Sequence, residues 1–186
     1  MPSPIAHTAA SFAIYQIYAG RWPQMNAVQV ASLPRLLIIT AIFSLVPDLD
    51  FAFGLLLGDF DQFHNGVTHS LFSGLLFALG IAIIAWLSRR ANFKRWFVLA
   101  LLCYELHVIM DFFTVGRGVP LLWPFSQARY IPTLKLFYGL HRSDGWLSVR
   151  HLWTLITESA FAFLVVILTN WATRGLQNRN KSRLSD

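Results

Sequence analysis

WFVLALLCYELHVIMDFFTV, from Trp96 to Val115, is 20 residues of mostly apolar sequence that also carries Glu105, His107 and Asp111. A helix of about 20 apolar residues crosses the hydrocarbon core of a bilayer, so the stretch reads as a membrane span. Ionisable side chains inside such a span are costly unless they are paired or hold a metal, so their presence marks a site. Two further segments have the same length scale: Ser70–Ser88, 19 residues without a charge, and Leu152–Thr173, 22 residues with one acid, Glu158. Ile5–Gly20, apolar around His7, and Leu36–Val46, which runs into PDLD and then the apolar Phe51–Gly58, are expected to be full or half-inserted membrane helices. The prediction is an all-α, polytopic membrane helical bundle of about four to five membrane helices. It forms one domain over residues 1–175, followed by a basic cytoplasmic tail over 176–186.

Composition agrees with a bilayer as solvent. Hydrophobic residues make up 55% of the chain, charged residues 13%, and the mean hydropathy is +0.51, which leaves too little polar surface to cover a water-facing globule. The net charge of +6 sits largely in short clusters beside apolar runs, as topology signals do. The C-terminal GLQNRNKSRLSD has none of the aromatics that bind nucleic acid, and no nucleic-acid partner is expected. The single cysteine, Cys103, excludes an internal disulfide and a thiolate metal cluster. Pro2 and Pro4 open the chain without a basic leader, so no cleavable signal peptide is expected.

If every segment crosses and the C-terminus is cytoplasmic, ten basic residues lie inside: Arg21, Arg35, Arg89, Arg90, Lys94, Arg95, Arg174, Arg179, Lys181 and Arg183. Five lie outside, all in one long loop: Arg117, Arg129, Lys135, Arg142 and Arg150. The positive-inside rule favours this orientation. It brings His7, Asp48, Asp50, His64, His69, His107 and Asp111 to the same outer side, which points to one shared site.

The chemistry is carried by three short motifs and one histidine. In HVIMD, His107 and Asp111 are four residues apart, on one helix face, and can share an ion. In HNGVTHS, His64 and His69 flank the start of a span, and neutral imidazole is a common zinc ligand whose other nitrogen needs a partner, a role that Thr68 suits as well as helix capping. In PDLD, Pro47 ends or bends a helix, and one of Asp48 and Asp50 is expected as a ligand and the other as a base that holds water. His7 is the fourth element. Singly, each also reads as packing, capping or an interfacial charge. Jointly, a nitrogen-and-oxygen donor set drawn from separate membrane elements points to a divalent ion, zinc first, with manganese also suited and with donors enough for one or two ions. Glu105, on a different helix face from His107, is expected to pack. The Trp residues near span ends, Trp96, Trp146, Trp153 and Trp171, read as an interfacial belt.

In this order the residues resemble the YdjM family of membrane-bound metal-dependent hydrolases, over roughly residues 5–135. The matching pieces are His7, PDLD at 47–50, HNGVTHS at 64–70, HVIMD at 107–111 with Thr114, and GVPLLWPF at 118–125. Asn65 stands where the family carries arginine. The order is more distantly similar to the zinc-dependent phospholipases C and related single-strand nucleases. That likeness implies an all-α metal site and phosphoester chemistry, with His7, Asp48 or Asp50, His69, His107 and Asp111 as the matching positions. The resemblances together imply a hydrolase of a phosphoester, lipid-linked substrate at the outer face of the inner membrane. His69, His107, Asp111, His7 and His64 would be its metal ligands, Asp48 and Asp50 would act on water, and Trp123 would line the mouth. The rival expectations are an ion or proton transporter, and a non-catalytic protein whose polar cluster only ties helices together.

Overall fold

The structure, a computed structural model, describes residues 4–20, 33–57, 65–89, 91–139 and 148–185. His64, His141 and Trp146 lie outside the described residues. Six α-helices run through them: α1 Pro4–Gly20, α2 Leu33–Leu45, α3 Leu49–Leu57, α4 Leu71–Arg89, α5 Phe93–Phe112 and α6 Arg150–Ser185. No strand forms among the described residues, and the bundle is all-α.

Local sequence sets the breaks. Pro47 lacks the amide that would continue the α2 ladder, and the chain tightens into a 3-10 turn, Val46–Asp48, before α3 begins. A second 3-10 turn, Val67–His69, leads into α4. Ser70 then caps that helix, its Oγ accepting from the Ser73 amide at 3.2 Å. Asn92 does the same for α5, accepting from the Arg95 amide at 3.1 Å.

Helices α4 and α5 form an antiparallel hairpin. Ala78, Ala82 and Ala100, all fully buried, keep side-chain bulk out of the bundle core. Ile14 of α1 and Phe43 of α2 join Ala78, Leu99, Ala100 and Cys103 in one core. The side chain of Gln16 in α1 donates to Asn170 Oδ1 of α6 at 3.1 Å, a polar clamp between two apolar helices.

Two helices have the length and composition of membrane spans, Leu71–Ser88 with mean hydropathy 2.2 and Arg150–Gly175 with 1.9. Only 17% of the first stretch and 11% of the second is buried within the protein. The core helix of a soluble protein hides its apolar surface, whereas these leave most of theirs outside the bundle, as a bilayer span does. Trp153 and Trp171 are both exposed on α6, 18 residues apart, which is about 27 Å of helix and close to the thickness between two interfacial aromatic belts. Helix α5 has too many charges to pass by composition, and its His107 and Asp111 are buried inside the bundle.

Two boundaries differ from the sequence reading. Helix α5 stops at Phe112 because the Phe113 and Thr114 amides turn back onto Ile109 and Asp111 carbonyls, and Thr114 then bridges to Phe137. Helix α6 continues to Ser185, so the basic segment after residue 175 prolongs the span as helix, with only Gly175 to interrupt it. Trp96, half-buried in the first turn of α5, packs edge-on against Phe43 of the core, with 6.5 Å between ring centroids.

Candidate metal centre

The site is assembled from five elements. Helix α5 supplies His107 and Asp111, one turn apart. The Val46–Asp48 turn supplies Asp48, and the Val67–His69 turn supplies His69. His7 arrives from α1, and Asp50 from the first turn of α3. His7, His69 and His107 are fully buried and Asp111 nearly so, whereas the side chain of Asp48 keeps 15% exposure.

Asp48, His69, His107 and Asp111 each bring one ligand atom to within 4.8 Å of the others. His107 Nε2 lies 3.3 Å from His69 Nε2 and 3.3 Å from Asp48 Oδ1. His69 Nε2 lies 3.6 Å from Asp48 Oδ1 and 2.9 Å from Asp111 Oδ2, and His107 Nε2 lies 3.7 Å from Asp111 Oδ2. Four donors at about 2.0–2.1 Å from a tetrahedral ion stand roughly 3.3–3.4 Å apart, so these five edges fit a divalent ion of zinc size. Asp48 Oδ1 and both Asp111 oxygens are buried and make no hydrogen bond despite these short contacts. Donors that crowd a common point without being aligned on one another suit an ion between them better than a set of mutual hydrogen bonds.

The two PDLD acids divide their work by position. Asp50 sits behind His69, its Oδ2 3.2 Å from Nδ1. Thr68 donates to the same Asp50 oxygen at 2.7 Å, and its Oγ1 is 3.0 Å from His69 Nδ1. With the Thr68 proton committed to Asp50, His69 carries a proton of its own on Nδ1, and Nε2 is the nitrogen it offers to the cluster. This is the carboxylate–histidine support that fixes a metal ligand's tautomer. Ser70, and not Thr68, caps the helix. Tyr104 of α5 donates to the Thr68 carbonyl at 2.6 Å and holds the whole turn in place.

Electrostatics follow from the crowding in the two 3-10 turns. Burial would raise the Asp48 carboxyl, but the imidazoles of His107 and His69 overcome this and hold it well below the usual carboxylate range. Burial would lower His69, but Asp111, Asp48 and Asp50 overcome this and push it well above the ordinary histidine value.

His7 takes the far side of Asp111. Its Nε2 is 3.5 Å from Oδ1, and its ring stacks on that of His107 with centroids 3.8 Å apart. Neither His7 nitrogen makes a hydrogen bond. The Ser44 hydroxyl donates to the His7 carbonyl at 3.1 Å, tying α1 to α2 beside the site. Trp123 packs edge-on against Phe72, three residues after His69, with centroids 6.1 Å apart, and Phe125 beside it is 86% exposed. Arg129 clasps this loop to the turn before His69, donating from Nη1 to Gly118 O at 2.9 Å and Asn65 O at 3.0 Å. Gly118 is required there, because its φ of +73° is left-handed and a Cβ would collide with the Tyr130 carbonyl. Glu105 stands apart from the cluster, against Gly74 of α4. Glu158 is fully buried on α6, one turn after Thr154, whose hydroxyl donates to Gly139 O at 2.8 Å.

Among proteins of known name, the chain is 34% identical over 101 residues to the inner membrane protein YbcI of Escherichia coli strain K12. That match covers 52% of this chain and 58% of the relative, so the chain spans little more than half of the relative's length. No solved structure matches, and the likeness to the zinc-dependent phospholipases C rests on residue order alone. The family model described as YdjM inner membrane protein matches residues 1–180, almost the whole of this membrane bundle with its buried His/Asp cluster, and the chain belongs to that family.

Proposed function

We propose that the protein is a metal-dependent hydrolase of a phosphoester, lipid-linked substrate, working at the outer face of the inner membrane with zinc as its ion. The observation that carries this reading is the near-tetrahedral spacing of Asp48, His69, His107 and Asp111, with Asp48 alone reaching toward solvent. A zinc ion held there would lower the pKa of water to about 7 and would stabilise charge on phosphoryl oxygens.

The chain's own residues divide the remaining work. His69, His107 and Asp111, all buried, hold the ion rigidly. Asp50 keeps His69 in the tautomer whose Nε2 lone pair faces the ion. Asp48, which offers Oδ1 to the ion and stands at the exposed edge, would receive on its other oxygen the proton of the water that attacks phosphorus, and the ester oxygen would leave with a proton taken from solvent. His7, beside the far oxygen of Asp111, would add a donor if a second ion were held there, with His64 as a further donor. Trp123 and Phe125 line the mouth, where a headgroup enters from the bilayer surface. The distribution of basic residues supports an outer position for this face and a cytoplasmic C-terminus.

One feature favours a second reading. Four protein donors can fill a four-coordinate zinc, as in structural sites, where catalytic ones keep a position open. A zinc that only ties α1, α5 and the two turns together would leave the fold dependent on metal and the protein without turnover.

The test is hydrolysis of a phosphoester panel, from soluble nitrophenyl esters to phosphatidic acid, by purified protein and by Asp48→Asn, with zinc measured in both. Metal-dependent turnover that Asp48→Asn loses by orders of magnitude supports hydrolysis. Zinc-loaded, folded protein that turns over nothing on the panel, and that unfolds on chelation, selects the structural reading.

A further inference from the structure

The loop between α5 and α6 turns its apolar side chains outward. Leu122, Phe125, Ile131, Leu134 and Leu136 are all exposed, although none belongs to a helix. A contiguous apolar surface of this kind marks a place where something other than water is met. The order around residue 135 says what that solvent is. Leu134 is 62% exposed and Leu136 58%, while the ammonium of Lys135 between them is turned inward, buried and without a hydrogen-bond partner. In water the lysine would face out and the leucines in, because burying an unpaired charge is costly. The inverted order suits a surface bathed in hydrocarbon, where charged groups turn toward the protein interior. Arg129 of the same loop likewise gives its Nη1 to the carbonyls of Gly118 and Asn65.

The depth of the loop is set by α4. The Leu71 amide donates to the Leu121 carbonyl at 3.1 Å, and Trp123 and Phe125 stand edge-on to Phe72, with 6.1 and 6.2 Å between centroids. Leu71 opens the 18-residue apolar stretch that ends at Ser88, about 27 Å of helix against a hydrocarbon core of about 30 Å. The loop therefore begins level with the edge of the hydrocarbon, and its apolar side chains continue the exposed face that Leu71, Leu75 and Leu76 form on α4. At its other end the Leu136 amide donates to the Phe113 carbonyl at 2.8 Å, just past the last turn of α5. We infer that the segment from Leu122 to Leu136 lies in the leaflet at this end of α4, the outer one in the orientation proposed above, with its leucines and Phe125 among the lipid chains. The partner of this surface is the bilayer itself. A second copy of the chain could also cover an apolar loop, but continuity with the lipid-facing side of a span favours lipid. The metal cluster shares the depth: Gly74 of α4 meets Tyr104 and Glu105 of α5, so in this antiparallel pair Leu71 comes level with about Val108, next to His107. The inference rests on the spans and on the exposure of the loop, and it holds whether or not the cluster hydrolyses anything.

The experiment uses the full chain in vesicles of phosphatidylethanolamine and phosphatidylglycerol. Nitroxide spin labels are attached one at a time through Phe125→Cys, Leu134→Cys and Leu136→Cys. The wild type, whose single cysteine Cys103 is buried, gives the background. Leu76→Cys, on the exposed face of α4, marks hydrocarbon, and Lys94→Cys, exposed in the first turn of α5, marks water. Collision with oxygen, which concentrates among lipid chains, and with a neutral nickel chelate, which stays in water, reports the depth of each label. The expected oxygen-to-nickel ratio at the three loop positions matches that at Leu76 and exceeds that at Lys94 several-fold. Ratios equal to that at Lys94 overturn the inference, because the loop then stands in water. Few collisions with either reagent overturn it as well, because a second copy then covers the loop. A variant that loses helical circular dichroism is replaced by Ile131→Cys. Turnover is not read, so the hydrolase reading and this one fail separately.

Discussion

Asp50 stands behind His69, with its Oδ2 3.2 Å from Nδ1, so the imidazole presents Nε2 to Asp48, His107 and Asp111. Two acids from one four-residue motif thereby serve one histidine from opposite sides. Removing the rear carboxylate leaves every ligand in place but frees the ring to rotate and to exchange tautomers. Asp50→Asn is therefore expected to weaken zinc affinity about 10- to 100-fold. Competition with a chelator of known affinity measures this, and unchanged helical circular dichroism shows that the bundle has survived. Wild-type affinity in this variant contradicts the assigned role of Asp50.

The turn that carries His69 depends on Tyr104, whose hydroxyl donates to the Thr68 carbonyl at 2.6 Å. Tyr104→Phe removes the donor and keeps the ring. The expected cost is about 1 kcal/mol of stability for one lost hydrogen bond. A lower unfolding temperature of the detergent-solubilised protein reports it, and a faster loss of zinc to chelator shows that the turn serves the site.

Gly74 allows α5 to approach α4 at this level. A Cβ there would stand against the Glu105 carboxylate and 2.9 Å from Cδ1 of Tyr104. The Glu105 side chain can swing away, but the Tyr104 ring is held by its bond to Thr68. Gly74→Ala is expected to destabilise the hairpin by about 1–3 kcal/mol, the usual penalty of overpacking, and to weaken zinc binding through the displaced Tyr104. Thermal unfolding of the variant beside Tyr104→Phe separates the steric part from the hydrogen bond.

Proton competition sets the pH dependence. His69 in the metal-free protein is pushed well above its ordinary value by its three carboxylate neighbours, after burial has pulled it down. It is therefore protonated at neutral pH and must lose that proton to bind zinc. Asp48, held low, is ionised throughout and adds no dependence. Zinc affinity is expected to rise by up to about tenfold per pH unit between pH 6 and 8 and to level off once pH exceeds the His69 value. Calorimetry in buffers of different ionisation enthalpy counts the protons released. No proton release over this range contradicts the assignment.

Much of this was legible from residue order. The apolar runs at 70–88 and 152–173 announced α4 and α6, because length and hydropathy are what a bilayer demands. The His107–Asp111 spacing placed two side chains on one face of α5. What was not legible depends on contacts between distant segments. Nothing in PDLD distinguishes Asp48 from Asp50, since a 3-10 turn followed by a helix sends the two side chains to opposite sides of His69, and only the approach of the second turn decides which meets Nε2. Tyr104 gave no signal, because a tyrosine in an apolar run looks like packing until its hydroxyl finds a carbonyl. The loop after α5 hides its order in bridges between residues that alternate no pattern, Val119 with Tyr130 and Thr114 with Phe137.

The central claim is that side chains from α5 and the two turns share one ion, and metal content tests it most directly. Wild-type protein purified gently without chelator, measured by inductively coupled plasma mass spectrometry beside His107→Ala and Asp111→Ala, should carry about one zinc per chain or more, and each variant far less. A folded wild type that carries only a small fraction of a metal ion per chain, and takes up none from added zinc, contradicts the account.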